Sequence, residues 1–324
     1  MAEFVLDNSP TDCISTLEFH PINPDLLLAT SWDKKVRIYN VNSNTVQESE
    51  HHTGAVLAGC FSSTGQQVFS GGLDCKLVQW DLDKDSFELG SHDKPISCMD
   101  FNTNHNLITT GSWDKSTILW DYSSPNPLIE KLEQSERVYT LSTKENLLFL
   151  GLAGRQIVVY DLRNRATPLE VKQSMLKYPT RKIMVNPNLS GFVYSSIEGR
   201  VAVEYFGDNK AKYAFKCHRK SDKEAGVDTV YPVNALEFHP IYNTLATGGS
   251  DGMVSLWDSV NKKRLKQYGP YSSGVSTISF NRVGLLMAVG SSYTFDQGEK
   301  EGMKDEIYIR KLGETEAKPK SKKN

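Results

Sequence analysis

Ser112-Trp113-Asp114-Lys115-Ser116-Thr117-Ile118-Leu119-Trp120-Asp121 decides the fold. A turn triplet ending in Asp leads into a short apolar strand that closes on Trp-Asp, seven residues after the turn Asp. The pattern recurs upstream. Ser31-Trp32-Asp33 runs to Tyr39-Asn40, and Gly72-Leu73-Asp74 runs to Trp80-Asp81. The closing residues Asn40, Asp81 and Asp121 are 41 and 40 positions apart. A repeat of that period built from short strands marks a β-propeller blade.

Weaker copies continue downstream. Leu152-Ala153-Gly154-Arg155 leads to Tyr160-Asp161, and Ser196-Ile197-Glu198-Gly199-Arg200 leads to Glu204-Tyr205. Gly249-Ser250-Asp251-Gly252 leads to Trp257-Asp258, and a degenerate copy runs from Val275 to Ile307-Tyr308-Ile309-Arg310. The closing positions 40, 81, 121, 161, 205, 258 and 310 count seven blades. Ile14–Phe19, Val233–Phe238 and Val275–Phe280 alternate apolar and polar residues, as half-buried strands do. Asn23-Pro24, Thr64-Gly65 and Asn186-Pro187 supply turns between strands.

A propeller that does not close leaves sheet edges open. Residues 313–324 are too polar for a strand, whereas Glu3-Phe4-Val5-Leu6 is strand-like and precedes the first repeat. Residues 3–7 are therefore expected to form the outer strand of blade seven. The expected fold is all-β, a seven-bladed Trp-Asp (WD) repeat propeller closed by its N-terminal strand. It is expected as one domain over 1–312, followed by a disordered polar basic tail over 313–324.

His52, His92 and His218 each precede a turn acid. The interval is 22 residues for His52–Asp74 and His92–Asp114, and 33 for His218–Asp251, so the last carries an insertion of 11 residues. In WD repeats such a His, the turn Asp, a strand hydroxyl and the Trp form a buried hydrogen-bond network, because a half-buried carboxylate needs partners. These residues are therefore read as structural.

The 324 residues carry a formal net charge of −2, which argues against a dedicated nucleic-acid binder. No apolar run nears 18 residues, so no transmembrane helix or membrane partner is expected. Met1-Ala2-Glu3-Phe4 lacks a basic region followed by an apolar stretch, so no signal peptide is expected. The 5 cysteines form no Cys-x-x-Cys pair and read as reduced buried thiols. No phosphate-binding loop, His-Glu-x-x-His, nucleophile elbow or kinase signature occurs. No catalytic residue, cofactor or metal is expected.

The turn between second and third strands and the segment linking consecutive blades should open on one rim. Residues just after the turn acids read Lys34 and Lys35, Lys76, Lys115, Arg155, Arg200, then Gly252 and Met253. The inter-blade segments add Arg181, and Lys216, Arg219 and Lys220 beside His218. Trp32 and Trp113 stand mid-triplet. The lysines read equally as solubilising residues, and Trp113 as a cover for its own turn network. Arginines form rigid bidentate pairs with carboxylate or phosphate. An acidic or phosphorylated peptide across this rim is the expectation from chemistry alone. Asn261-Lys-Lys-Arg-Leu-Lys266 falls on the opposite rim, as a solvated hairpin or a nuclear import signal. The mixed-charge insertion from Asp296 to Glu306 reads as a solvated loop.

Longer strings now carry a resemblance. Leu176-Lys-Tyr-Pro-Thr-Arg181, Ser195-Ser-Ile-Glu-Gly-Arg-Val-Ala-Val-Glu-Tyr205 and Tyr213-Ala-Phe-Lys-Cys-His-Arg219 resemble the WD-repeat mitotic spindle checkpoint proteins of the Bub group. Tyr231-Pro-Val-Asn-Ala235 and Lys318-Pro-Lys320 fit as well, and nearly the whole chain is covered. A sister group, the WD-repeat messenger-RNA export factor that docks on nucleoporins, shares two of the strings. Val138-Tyr-Thr-Leu141, Gly151-Leu-Ala-Gly-Arg155 and Ser70-Gly-Gly-Leu-Asp74 look like the checkpoint branch.

The resemblance implies a non-catalytic adaptor of the spindle assembly checkpoint, with messenger-RNA export as the alternative. Its partners would be the acidic GLEBS segment of a checkpoint kinase and of its pseudokinase or Mad-type relative. Further partners would be phosphorylated Met-Glu-Leu-Thr repeats of the outer-kinetochore scaffold, and ubiquitin-binding mitotic checkpoint complex components. By motif, Trp32, Arg155, Arg181 and Arg200 look like GLEBS contacts. By position, Lys216 and Arg219 look like phosphothreonine contacts. The implied location is the nucleus, the kinetochore in mitosis, and also the cytoplasm.

Overall fold

The alternating strands pair as antiparallel ladders throughout. The computed structural model describes residues 3–50, 52–82, 84–207, 212–313 and 315–319. Among them the strands form seven four-stranded sheets and one two-stranded hairpin. The innermost strands are Ile14–Phe19, Val56–Phe61, Ile96–Asn102, Val138–Lys144, Thr180–Val185, Val233–Phe238 and Val275–Phe280. Each packs on the next, and the last packs on the first, so the sheets stand around a ring. The hairpin Arg219–Asp222 with Val227–Val230 lies between blades five and six and accounts for the long His218–Asp251 interval.

The core lies between blades. In blade three the second and third strands, Leu107–Ser112 and Ser116–Trp120, are buried at every position. Trp120 seats against Gly90 of blade two. A Cβ built there would stand 2.3 Å from the indole, so only glycine lets the ring in. Burying a large side chain this way contributes about 1.5–3 kcal/mol.

The buried networks form as the histidine spacing predicts. His92 Nδ1 meets Asp114 at 2.9 Å and its Nε2 meets Thr110 Oγ1 at 2.7 Å, while Trp120 Nε1 donates to the same hydroxyl at 2.8 Å. His218, Asp251, Thr247 and Trp257 repeat this arrangement in blade six. His52 joins Asp74 to Ser70 in blade two. Blade one has no such histidine. There the guanidinium of Arg37, 3% exposed, holds Asp33 at 2.8 Å and Glu48 at 2.8 Å. A buried ion pair needs this second carboxylate and its hydrogen bonds to offset desolvation.

The N-terminal strand closes the ring. Glu3, Phe4 and Val5 pair with Arg310, Ile309 and Tyr308, and Leu6 N donates to Ile307 O at 2.9 Å. Arg310 fixes the register by reaching Glu3 at 2.9 Å. The tail expected to be disordered departs from that expectation over its described part. Ala317 is 2% exposed, and its carbonyl accepts a hydrogen bond from Thr244 Oγ1 at 3.0 Å. Glu316 pairs with Lys266 of blade six. The apolar alanine and the carboxylate give a polar segment enough contact to dock. Residues 314 and 320–324 lie outside the described residues.

The inner strands also line the axis with charge. Burial lifts the carboxyls of Glu18 and Glu237 to about 8 and that of Asp100 to about 6, with repulsion from Asp100 adding at both glutamates and Lys182 opposing at all three. A carboxyl whose folded pKa is raised binds more protons folded than unfolded. Its contribution is thus fullest below the unfolded value and is lost as pH rises through the folded one. Stability should therefore fall between about pH 4.5 and pH 8. Glu18→Gln should flatten that slope and stabilise the protein at pH 8 by on the order of 1 kcal/mol, allowing for screening by solvent in the axis. Urea unfolding at both pH values checks this, and an unchanged slope refutes it.

Candidate peptide-docking rim

A conserved backbone device would not be needed to build a rim; a repeated one suffices. Each turn between second and third strands is tied to the preceding inter-blade link by a backbone hydrogen bond. Trp32 N reaches Cys13 O, Leu73 N reaches Ala55 O, and Trp113 N reaches Pro95 O. Ala153 N reaches Arg137 O, Ile197 N reaches Pro179 O, Ser250 N reaches Pro232 O, and Ser292 N reaches Gly274 O. Turns and links therefore share one face, as the repeat predicts.

The residue after the turn acid, or its counterpart, adopts a left-handed backbone in Lys34, Cys75, Lys115, Arg155, Gly199 and Gly252. Glycine takes this conformation without strain, whereas a side chain there costs about 1 kcal/mol. Blades one, three and four thus carry cations at positions where glycine is the easier choice.

A second device shapes the channel mouth. Every inner strand carries a register shift near its start. The extra residue falls at Ser15, Leu57, Ser97, Tyr139, Asn234 and Ser276, and in blade five Arg181 and Lys182 stand opposite Ser195. A bulge re-aims its side chain out of the ladder. Arg181 therefore belongs to the inner strand Thr180–Val185 and not to an inter-blade segment, a correction to the sequence placement. Its Nε donates to Asn234 Oδ1 at 3.1 Å. The side chain is open to solvent, yet recessed enough for desolvation to pull its pKa down from the ordinary arginine range.

The cations divide by partner. Lys35 lies 2.9 Å from Glu48, Lys76 lies 2.7 Å from Glu88, and Lys115 lies 3.3 Å from Glu136. These are largely solvated pairs, consistent with the solubilising reading. Arg200 pairs with Glu198 at 3.0 Å, and Arg219 with Asp228 at 3.4 Å. Among the described residues Arg155, Arg181 and Lys216 have no carboxylate ion-pair partner. Arg155 instead donates to Leu176 O at 3.1 Å.

Lys216 ends the outer strand of blade five directly across from Arg200. Arg219 Nη2 lies 3.4 Å from Gly199 O, at the turn that precedes Arg200. Arg200, Lys216 and Arg219 are thus one cluster in blade five, with Arg155 in blade four and Arg181 at the mouth. Trp32 stands apart in blade one. Its ring stacks on Phe295 at 5.9 Å, and Tyr293 packs on Phe295 at 5.4 Å. The segment just before the insertion read as a solvated loop therefore places aromatic rings on the rim beside Trp32. Phe295, Tyr139, Tyr178 and Arg137 are exposed here and escaped the sequence reading. Aligning the second residue of each inner strand would have singled out Tyr139, but nothing local announces the Trp32–Phe295 stack.

Comparison with known proteins places this geometry. The family model described as "WD domain, G-beta repeat" matches residues 43–81, 84–121 and 227–258. A mitotic checkpoint protein of Arabidopsis thaliana, BUB3.1, is 46% identical, over 98% of this chain and 95% of its own length. The chain belongs to the Bub3 family. An mRNA export factor of Chaetomium thermophilum, GLE2, is 37% identical over 90% of this chain and 85% of its own length. The solved structure of U3-55K shares the fold alone, with TM-score 0.84 at 16% identity over 96% of this chain and 98% of that one. Bub3 membership makes this chain a WD-repeat protein of the spindle checkpoint class, and gives the basic rim a setting.

The left-handed turn of blade four yields a stability test. Arg155→Gly relieves strain but adds backbone entropy to the unfolded chain, so its stability should stay within about 1 kcal/mol of the parent. Arg155→Ala keeps the strain and should be less stable than the glycine variant by about 1 kcal/mol. Urea midpoints decide it, and equal stability of the two variants contradicts the turn assignment.

Proposed function

We propose that this Bub3-family propeller is a non-catalytic adaptor whose basic rim takes acidic segments. A GLEBS-type segment of a checkpoint kinase, or of its pseudokinase or Mad-type relative, lies across Trp32, Arg155, Arg181 and Arg200. A phosphorylated Met-Glu-Leu-Thr repeat of the kinetochore scaffold meets Lys216 and Arg219. The protein thereby brings the kinases to unattached kinetochores, and it works in the nucleus and at the kinetochore, with a cytoplasmic pool. Components of the mitotic checkpoint complex that bind ubiquitin belong to the same partner set.

One observation carries this reading. Arg155, Arg181 and Lys216 are without carboxylate partners among the described residues, while Lys35, Lys76 and Lys115 of blades one to three are paired. Cations left unpaired on one face attract an acidic partner and anchor it by charge-assisted hydrogen bonds. A phosphothreonine, with close to two negative charges, suits the Lys216–Arg219 cluster. The similarity to GLE2 favours a second reading, in which the same rim takes a GLEBS-bearing nucleoporin in messenger-RNA export.

Arg200→Glu should reduce GLEBS-peptide affinity by at least 100-fold, about 2.7 kcal/mol, with the fold intact. Titration calorimetry with circular dichroism measures both, and unchanged affinity removes Arg200 from the site. Lys216→Glu with Arg219→Glu should abolish phosphopeptide binding and spare the GLEBS peptide. Loss of both would make the blade-five cluster a single shared site. Capture from mitotic cells distinguishes the two readings, by recovery of checkpoint kinases or of nucleoporins.

A further inference from the structure

The basic run Asn261–Lys266 has no part in the rim. It begins in the turn after the third strand of blade six and continues into the outer strand Lys263–Tyr268. Beside it lies a recess of about 290 Å³ between blades five and six. Three aromatic rings line it. Phe215 and Trp257 have centroids 4.7 Å apart, and Tyr213 and Phe215 are 6.3 Å apart. Tyr213 OH donates to Ser259 O, which ties the end of the blade-five strand to blade six.

The cations stand over these rings. Lys262 Nζ lies 4.4 Å from the Tyr213 centroid, and the Arg264 guanidinium lies 6.0 Å from that of Trp257. Lys262, Lys263 and Arg264 are exposed and, among the described residues, have no carboxylate partner. Asp258, the acid at the recess, is 4% exposed and already accepts from Val260 N, Asn261 N and Asn261 Nδ2. It is therefore committed to its own turn. What remains is an aromatic recess with a positive margin.

We propose that this recess is a second peptide-docking site, distinct from the basic rim, and that it takes an acidic segment carrying one bulky apolar side chain. The apolar residue enters between Tyr213, Phe215 and Trp257, and flanking carboxylates meet Lys262, Lys263 and Arg264. Charge complementarity selects this occupant. A neutral apolar segment would leave three cations unmatched, and a basic one would be repelled. Aromatic anchors in a recess and a charged margin are the division of labour found at protein interfaces. Tyr213 and Lys216 are opposite ends of one strand, opposite Val203 and Arg200 respectively. The recess and the rim cluster therefore sit at opposite ends of blade five, and both can be filled at once.

The test uses a fluorescein-labelled dodecapeptide of Glu and Asp with a single central Phe. Binding is read by anisotropy in the full-length protein and in an Arg155→Glu/Arg181→Glu/Arg200→Glu/Lys216→Glu/Arg219→Glu background, which reverses every rim cation assigned above to a partner. The peptide should bind that background saturably. Lys262→Glu with Lys263→Glu should weaken it at least tenfold, as should Phe→Gly in the peptide. Phe215→Ala, checked for folding by circular dichroism, should weaken it too. A peptide with benzoylphenylalanine at the centre should crosslink within 213–215 or 257–263. Absence of binding in the rim-reversed background, equal affinity for the Lys262/Lys263 variant, or a crosslink elsewhere each overturns the proposal. None of these outcomes depends on whether GLEBS peptides use the rim.

Discussion

Three residues hold the ring shut. Glu3, Phe4 and Val5 add the fourth strand to a sheet whose other three strands lie some 270 residues or more away in sequence. Without that pairing, Glu306–Lys311 becomes an open edge, and blade seven loses the strand that ties it to the chain start. Blade seven also supplies Ser292, Thr277 and Ser279, whose hydroxyls accept from Ile14, Leu17 and Phe19 of blade one. The geometry of the channel mouth and of the rim follows from this closure, because both are defined only when seven blades share an axis.

Within the ring, structural and functional chemistry use different positions of the same repeat. The turn acids of blades two, three and six face inward to histidine, and the acid of blade one faces inward to Arg37. Their hydrogen bonds are satisfied locally, which leaves them nothing to offer a ligand. Blades four and five lack that network. Their turns carry Arg155 and Arg200 instead, and in blade five Glu204 is buried against Tyr194 and Lys172. The most regular blades build the scaffold, and the least regular hold the cations that lack partners or share one cluster.

That division also governs what could be read from the chain. Blades two and three are legible because a buried carboxylate and an indole restrict the residue choice at fixed spacing, and blade one because Tyr39 keeps the place of the indole. Blades four and five remain countable, since their turns keep the left-handed position even where the acid is lost, at Gly154, or is replaced by a glutamate, Glu198. Ring closure was legible from alternation in Glu3–Leu6 and from its absence after Leu312. Arg181 reads from the sequence as part of an inter-blade segment and lies instead in an inner strand, because a bulge changes register without leaving a residue signature. The stack of Phe295 on Trp32 joins blades seven and one across some 260 residues, and no local pattern encodes it. The docking of Ala317 was equally silent, since its partner Thr244 lies 73 positions away.

The bulge near the start of each inner strand has a consequence for how such a protein changes over time. The side chain there is excused from its own ladder, and in blades one, three and six it is recruited by the next blade, with Ser15 Oγ, Ser97 Oγ and Asn234 Nδ2 donating to the carbonyls of Val56, Val138 and Val275. Seven such places ring one opening, and they hold Ser15, Leu57, Ser97, Tyr139, Arg181, Asn234 and Ser276. The entrance can therefore be retuned for a new ligand by single replacements at Leu57 and Tyr139 while every strand stays where it is, whereas a replacement at Ser15, Ser97, Arg181 or Asn234 also cuts a hydrogen bond between neighbouring blades.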